Sequence, residues 1–289
     1  MTFSDISTIL YDAVAYIAVG FIIFFVGKLV YQLVNRDFNI KEELVEKDNL
    51  AFSFAHVGYF IGLLLAVGSA IVGPTQGLVN DIIDIAIYGG LGIILLNLSI
   101  WLNDKIILRK FSVKKEIIED RNAGTGVIEG AISIASGLII FGAVTGESGN
   151  LTQGISSAVV FWLAGQVALF ITAAAYQLIT PYDVHEHIEK DNVAVGVGFA
   201  GALIAIANLI RHAITGDFEG WGLTFGEAGF ELVLGIILLP VMRFLTDKIL
   251  LPGQRLTDEI INQEHPNIGA SIIEAFAYIG GSIMITWCL

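Results

Sequence analysis

Eight stretches of this chain stay apolar for about a full membrane thickness, and its polar residues gather in short runs between them. A bilayer core about 30 Å thick is crossed by about 20 apolar residues in a helix. Runs of that length fall at roughly 8–34, 50–72, 82–103, 124–145, 154–180, 193–215, 225–250 and 268–288. They are continuous and do not alternate at every second residue. In lipid only helices and closed barrels satisfy the backbone, so this pattern predicts helices. The fold class expected is all-α: a polytopic membrane protein with eight transmembrane helices. The opening MTFSDISTIL has no Lys or Arg and no small-residue cleavage site, so the first run reads as a retained helix and not a signal peptide.

Composition strengthens this picture. Hydrophobic residues make up 55% of the 289 positions and charged residues 15%, against about 25% charged in soluble globular chains. A water-facing surface cannot be built from so few charges, so much of the exterior must face lipid. The net charge of -13 argues against nucleic acid as a partner. The one cysteine, Cys288, excludes an internal disulfide or a cysteine-based metal cluster and reads as a small apolar residue ending the last span.

Basic residues set the expected orientation. Arg36, Lys41 and Lys47 follow span one; Lys105, Arg109, Lys110, Lys114, Lys115 and Arg121 surround the loop after span three. Lys190 follows span five, and Arg243, Lys248 and Arg255 lie about the end of span seven, whereas the opposite side has only Arg211. The loops at 72–81 and 146–154 have none. The positive-inside rule then places the odd-numbered loops in the cytoplasm and both termini outside.

The chain also repeats itself at an offset of 143 or 145 positions. Val45-Glu46-Lys47-Asp48-Asn49-Leu50-Ala51 recurs as Ile188-Glu189-Lys190-Asp191-Asn192-Val193-Ala194, and Asp104-Lys105-Ile106 as Asp247-Lys248-Ile249. Asn122-Ala123-Gly124 recurs as Asn267-Ile268-Gly269, Glu129 as Glu274 and Tyr31-Gln32-Leu33 as Tyr176-Gln177-Leu178. Two four-helix repeats are expected, 1–145 and 146–289. An even span count per copy gives both the same direction, related by a pseudo-two-fold axis along the membrane normal. Such an axis is expected to bring equivalent helices face to face and to build any site on it from paired residues.

The Asp-Asn-x-Ala element before span two, Asp-Lys-Ile closing span three and the asparagine and glycine opening span four resemble the YjfL-like family of bacterial inner-membrane proteins. One domain of that family has four spans, and this chain resembles two in tandem. The resemblance implies a bacterial inner-membrane location and association with phage-shock-type membrane-remodelling proteins or polyamine-ligase-like enzymes. It implies no catalytic residues.

Glu129 and Glu274 are the foremost candidates. Each lies seven residues beyond a capping asparagine, about 10 Å into its span, and an ionisable group at that depth is costly and a default functional hypothesis. Gly126, Gly130, Ser133 and Gly137 form a small-residue stripe beside Glu129, the kind that lets helices approach closely. Ser271, Ala275 and Ser282 are its counterparts, with Tyr278 interrupting the pattern. Proton or cation binding and structural packing are both open for these glutamates. Glu231 is a third acidic candidate inside span seven. Glu46, Asp48, Asn49, Glu189, Asp191 and Asn192 are either helix caps or an acidic cytoplasmic vestibule. Lys28 and Arg243 read as snorkelling residues, His56 as a packed histidine, and His185 and His187 as a solvated loop. Trp101, Trp221 and Trp287 read as interfacial belt residues.

No nucleotide-binding, zinc-protease or nucleophile-elbow motif occurs, so neither an enzyme nor a cofactor is expected. The function expected is a small channel or transporter for protons, cations or polyamines, with the paired glutamates binding the positive charge. The alternative is a scaffold that recruits a cytoplasmic membrane-stress protein through the 103–123 loop. Monomer and homodimer are both compatible with a tandem repeat.

Overall fold

The computed structural model describes residues 3–72, 75–146, 150–216, 220–251 and 253–289, with side chains from residue 9 onward. Parts of the predicted loops at 72–81 and 146–154, and the side chains of the N-terminal MTFSDIST, lie outside the described residues. Among the described residues, eight helices are long and apolar enough to cross a membrane. They are α1 (Phe3–Val34), α2 (Leu50–Gly68), α3 (Leu78–Ile106), α5 (Ala123–Val144), α6 (Leu151–Ile179), α8 (Val193–Ile214), α9 (Trp221–Leu245) and α11 (Ile268–Cys288). The expected spans are all present, shifted by a few residues at their ends.

Three further helices are short: α4 (Val113–Ile118), α7 (Val184–Glu189) and α10 (Leu256–Ile261). They occupy segments expected to be loops. Each buries an apolar pair one turn apart, Val113 with Ile117, Val184 with Ile188 and Leu256 with Ile260. Such a pair docks one face of a single turn on the bundle. Between α1 and α2 the chain makes a π-helical turn, Glu42–Glu46, in the corresponding place.

The spans form two staggered layers. The helices α2, α5, α8 and α11 pack successively as one row, and α1, α3, α6 and α9 as the other, each of α3, α6 and α9 lying over the seam between two helices of the first row. Glycine sets the spacing of the first row. A Cβ on Gly58 would run into the backbone of Gly130, one on Gly137 into Gly62, one on Gly196 into Gly124 and one on Gly201 into Ala275. The expected stripe of Gly126, Gly130, Ser133 and Gly137 is therefore the face that α5 turns to α2.

This row corrects the expected symmetry. Equivalent helices of the two halves do not meet: α8 separates α5 from α11, and α5 separates α2 from α8. The halves join where α5 packs on α8. Each half is also two copies of a smaller hairpin, made of a long helix, a docked turn and an asparagine-capped span. Asn49, Asn122, Asn192 and Asn267 each accept from the backbone N–H three residues on, that of Phe52, Thr125, Val195 or Ala270. Their amides reach across to the next hairpin: Asn49 donates to the Ile117 carbonyl at 2.9 Å, Asn122 to Ile188 at 2.7 Å and Asn192 to Ile260 at 3.0 Å. Three caps also donate to a glutamate of their own hairpin, Glu43, Glu116 or Glu259. Asp48, Arg121 and Asp191, each preceding a cap, adopt positive φ of 47°, 55° and 58° to turn the chain into the span. Every hairpin but the last is thus clamped to its successor by buried hydrogen bonds.

Candidate functional site

The position seven residues past each cap holds His56, Glu129, Phe199 and Glu274 in turn. Each faces a residue from a long helix. Tyr31 lies tilted against His56 with ring centroids 5.1 Å apart, and Tyr176 against Phe199 at 5.2 Å. Two hairpins thus carry aromatic pairs at this level, and the other two carry carboxyl groups.

In the second hairpin, Glu129 meets Asp104 from the last turns of α3, the two carboxyl groups lying close enough to interact directly. They share a cavity of about 270 Å³ with Tyr31, Tyr59, Asn97 and Ser133. Glu129 Oε2, Asp104 Oδ1 and Ser133 Oγ are buried and receive no hydrogen bond among the described residues. The mouth lies toward the basic loops, where Lys114 pairs with Asp37 at 2.5 Å. Lys114 holds the Asp37 carboxyl below the usual carboxylate range. Lys105 is exposed on the outer face of α3. Deep in the cavity, Asn97 donates to the Tyr59 hydroxyl at 3.2 Å. At the level of Glu129 and beyond, the α2–α5 seam is shut by the contacts of Gly58 with Gly130 and Gly62 with Gly137.

In the fourth hairpin, Glu274 is fully buried and paired with Arg243 of α9 at 2.5 Å. Tyr278 donates to the same carboxyl oxygen at 2.9 Å, and Arg243 donates to Thr257 at 3.1 Å while lying over the Tyr182 ring. A Cβ on Gly198 would strike both Glu274 and the Tyr176 hydroxyl, so no room is left there. Arg243 was expected to snorkel; it is buried because Glu274 offers a counter-charge inside the bundle. Tyr278, the interruption in the small-residue stripe, fills the volume and supplies a donor.

Glu129 and Glu274 therefore occupy two separate environments and do not share one paired site, because α8 stands between their helices. Glu231 forms a third, bonding His212 Nδ1 at 2.8 Å between α9 and α8. The acidic vestibule does not assemble: Asn49 and Asn192 are buried caps, while Glu46, Asp48, Glu189 and Asp191 are exposed and line neither the cavity nor its mouth. His185 and His187 lie on α7, where His185 Nε2 bonds the Ile107 carbonyl at 2.6 Å. Asp104 was read from sequence as a helix-end residue; its signal was the repeated Asp-Lys-Ile, whose partner across the bundle is visible only in the packing.

The chain matches the family described as Domain of Unknown Function (DUF350) twice, over residues 5–144 and 150–289. A UPF0719 transmembrane protein of Aquifex aeolicus is 25% identical over 271 residues, 93% of this chain and 96% of that protein. One from Mycolicibacterium paratuberculosis is 31% identical over 101 residues, 35% of this chain and 66% of its own length. The UPF0719 transmembrane protein YshE of Bacillus subtilis is 27% identical over 124 residues, 41% of this chain and 81% of that protein. No solved structure matches. With eight membrane-crossing helices in two halves, each half matching one full domain, the chain belongs to the DUF350 family of transmembrane proteins and carries two copies of its domain in tandem.

Proposed function

We propose that this protein is a small transporter of the bacterial inner membrane that binds a proton, or a small cation such as the ammonium end of a polyamine, between Asp104 and Glu129. The observation that carries this reading is the pair of neighbouring buried carboxyl oxygens, Glu129 Oε2 and Asp104 Oδ1, to which no other group among the described residues donates. An ionised carboxylate only accepts hydrogen bonds. Two of them in one cavity repel, by about 4 kcal/mol at ~4 Å and an effective dielectric of about 20. A proton or cation between them removes that repulsion and satisfies both. The flanking Tyr31 and Tyr59 rings suit a cation near a π face.

The positive-inside rule assigns the cavity mouth to the cytoplasm and both termini to the outside. Release to the other side requires a second state in which the glycine seam of α2 and α5 opens. We assign no enzymatic step. The competing reading, a scaffold acting through the 103–123 segment, draws on the basic charge there. Half of that charge is already engaged, with Lys110, Lys114 and Lys115 bound to Asp183, Asp37 and Asp120.

The test is flux of protons, monovalent cations and spermidine into proteoliposomes. Loss of flux in Glu129→Gln and in Asp104→Asn, with both variants still folded, is expected. Flux unchanged in both variants, or none in the wild type while the protein captures a membrane-stress partner through residues 103–123, would overturn the reading.

A further inference from the structure

The helix α1 is the least embedded span, packing chiefly on α3 and α2 among the membrane-crossing helices. Glycine brings it close at two points, Gly27 against Leu63 of α2 and Gly20 against Ile71 in the turn that follows α2. On the lipid-facing side of this contact lie two adjoining clefts. One, of about 450 Å³, is almost wholly apolar and is walled by Ile17, Phe21 and Phe24 of α1 and by Val57, Phe60 and Leu64 of α2. The other is a wider basin of about 1080 Å³ toward the basic loops, lined by Lys28, Gln32, Arg36, Lys41 and His56. Phe24 and Phe60 belong to both, so the two are continuous.

The unpaired charge in the basin is positive. Lys28, Arg36 and Lys41 form no ion pair among the described residues. The one acid lining it, Asp37, is held by Lys114. Lys28 lies one helical turn beyond Phe24 on the same face of α1, directly above the apolar slot. The corresponding position in the second half, 145 residues on, is the uncharged Ala173.

We propose that this groove binds an anionic phospholipid, one acyl chain in the apolar slot and the phosphate against Lys28, Arg36 and Lys41. An apolar slot of several hundred Å³ has the size of a ligand pocket, and a basic pocket between spans at the headgroup level complements an anionic headgroup. A zwitterionic lipid would fill the slot equally but leave the three cations without a net counter-charge. The lipid then seals the lateral opening between α1 and α2 and fixes the helix that carries Tyr31 into the carboxyl cavity. The site stands on residues apart from Asp104 and Glu129 and does not depend on what they bind.

The full-length protein, delipidated in detergent, is offered phosphatidylglycerol or phosphatidylcholine with identical acyl chains, and retained lipid is counted by native mass spectrometry. Phosphatidylglycerol is expected to be retained at least about tenfold better. The triple variant Lys28→Gln, Arg36→Gln, Lys41→Gln should lose that preference, and Lys28→Gln alone should weaken it if the triple variant does not fold. Leu64→Trp, which fills the slot, should lower retention of both lipids, whereas Lys105→Gln and Glu129→Gln should keep the wild-type preference. Equal retention of the two lipids by the wild type, or an undiminished preference in the folded charge variants, would refute the site.

Discussion

Glu129 and Glu274 stand at the same depth of equivalent helices, yet one borders a cavity and the other is locked into a salt bridge. Three neighbours make the difference. Where the second half has Arg243, the first has Ile100; where it has Tyr278, the first has Ser133; and Gly198 replaces Ala55. The guanidinium and the phenol fill the volume that stays empty around Glu129. Asp247, the counterpart of Asp104, is turned away to cap α10 through the Leu256 N–H at 2.6 Å. Glu274 is thus a strut, tied to a cation that is part of the protein, whereas in the function proposed above Glu129 is a binding group. In the first half no basic side chain forms an ion pair with Glu129 or Asp104 among the described residues.

The largest effect should follow from taking the built-in counter-charge away. Arg243→Met leaves Glu274 ionisable and unpaired in the bundle, and a loss of about 3–5 kcal/mol is expected in unfolding measured in detergent. Arg243→Met with Glu274→Gln should recover most of it. A single variant as stable as the wild type would end the strut reading.

Next come the clamps between hairpins. Asn122→Ala removes a cap and two buried hydrogen bonds, to Glu116 and Ile188, for about 2 kcal/mol. Asn267→Ala has no following hairpin to release and should cost about 1 kcal/mol or less. Equal losses from the two would show that the inter-hairpin bond contributes little.

The comparison can also be inverted. Ile100→Arg places a guanidinium on the wall of the first cavity, within reach of Glu129. It should lower cation flux by at least about tenfold, ~1.4 kcal/mol, without loss of stability. Wild-type flux in that variant would exclude Glu129 from the pathway.

The smallest effect concerns the tie between the halves at their polar end. Lys110 bonds Asp183 at 2.6 Å and holds its carboxyl below the usual aspartate range, helped by the backbone N–H groups of α7. A depressed folded pKa gives stability that is present above the ordinary aspartate value of about 3.9 and vanishes as the pH falls through the folded value. The pair is exposed, so Lys110→Gln should cost only about 0.2–1 kcal/mol at neutral pH. That difference should fade in acid, and one that grew toward low pH would contradict the assignment.

The eight spans and the tandem halves were legible because hydropathy and repeated polar junctions report on one helix at a time. Lateral order was not. Whether equivalent helices meet depends on which glycine faces which backbone, and Gly58 with Gly130 or Gly196 with Gly124 carries that information only in pairs. The same limit hid the Asp104–Glu129 and Arg243–Glu274 partnerships, each joining residues of different spans. The smaller hairpin repeat did leave a trace, the spacing of Glu43 to Asn49, Glu116 to Asn122 and Glu186 to Asn192. The longer and stronger repeat of the halves masked it. The docked turns were written in apolar pairs too short for a hydropathy window to notice.

The row of capped spans never closes into a ring, because α11 does not return to α2 among the described residues. Its two margins are therefore unlike its middle: Glu129 belongs to a helix flanked on either side by a sister, while Glu274 belongs to the terminal one. Glu274 nonetheless faces inward, its Oε2 lying against Gly198 of α8 and its Oε1 held by Arg243 of α9. The last helix of the row is therefore anchored by an ion pair to the long helix beside it, whereas α5 and α8 each lean on two sister spans.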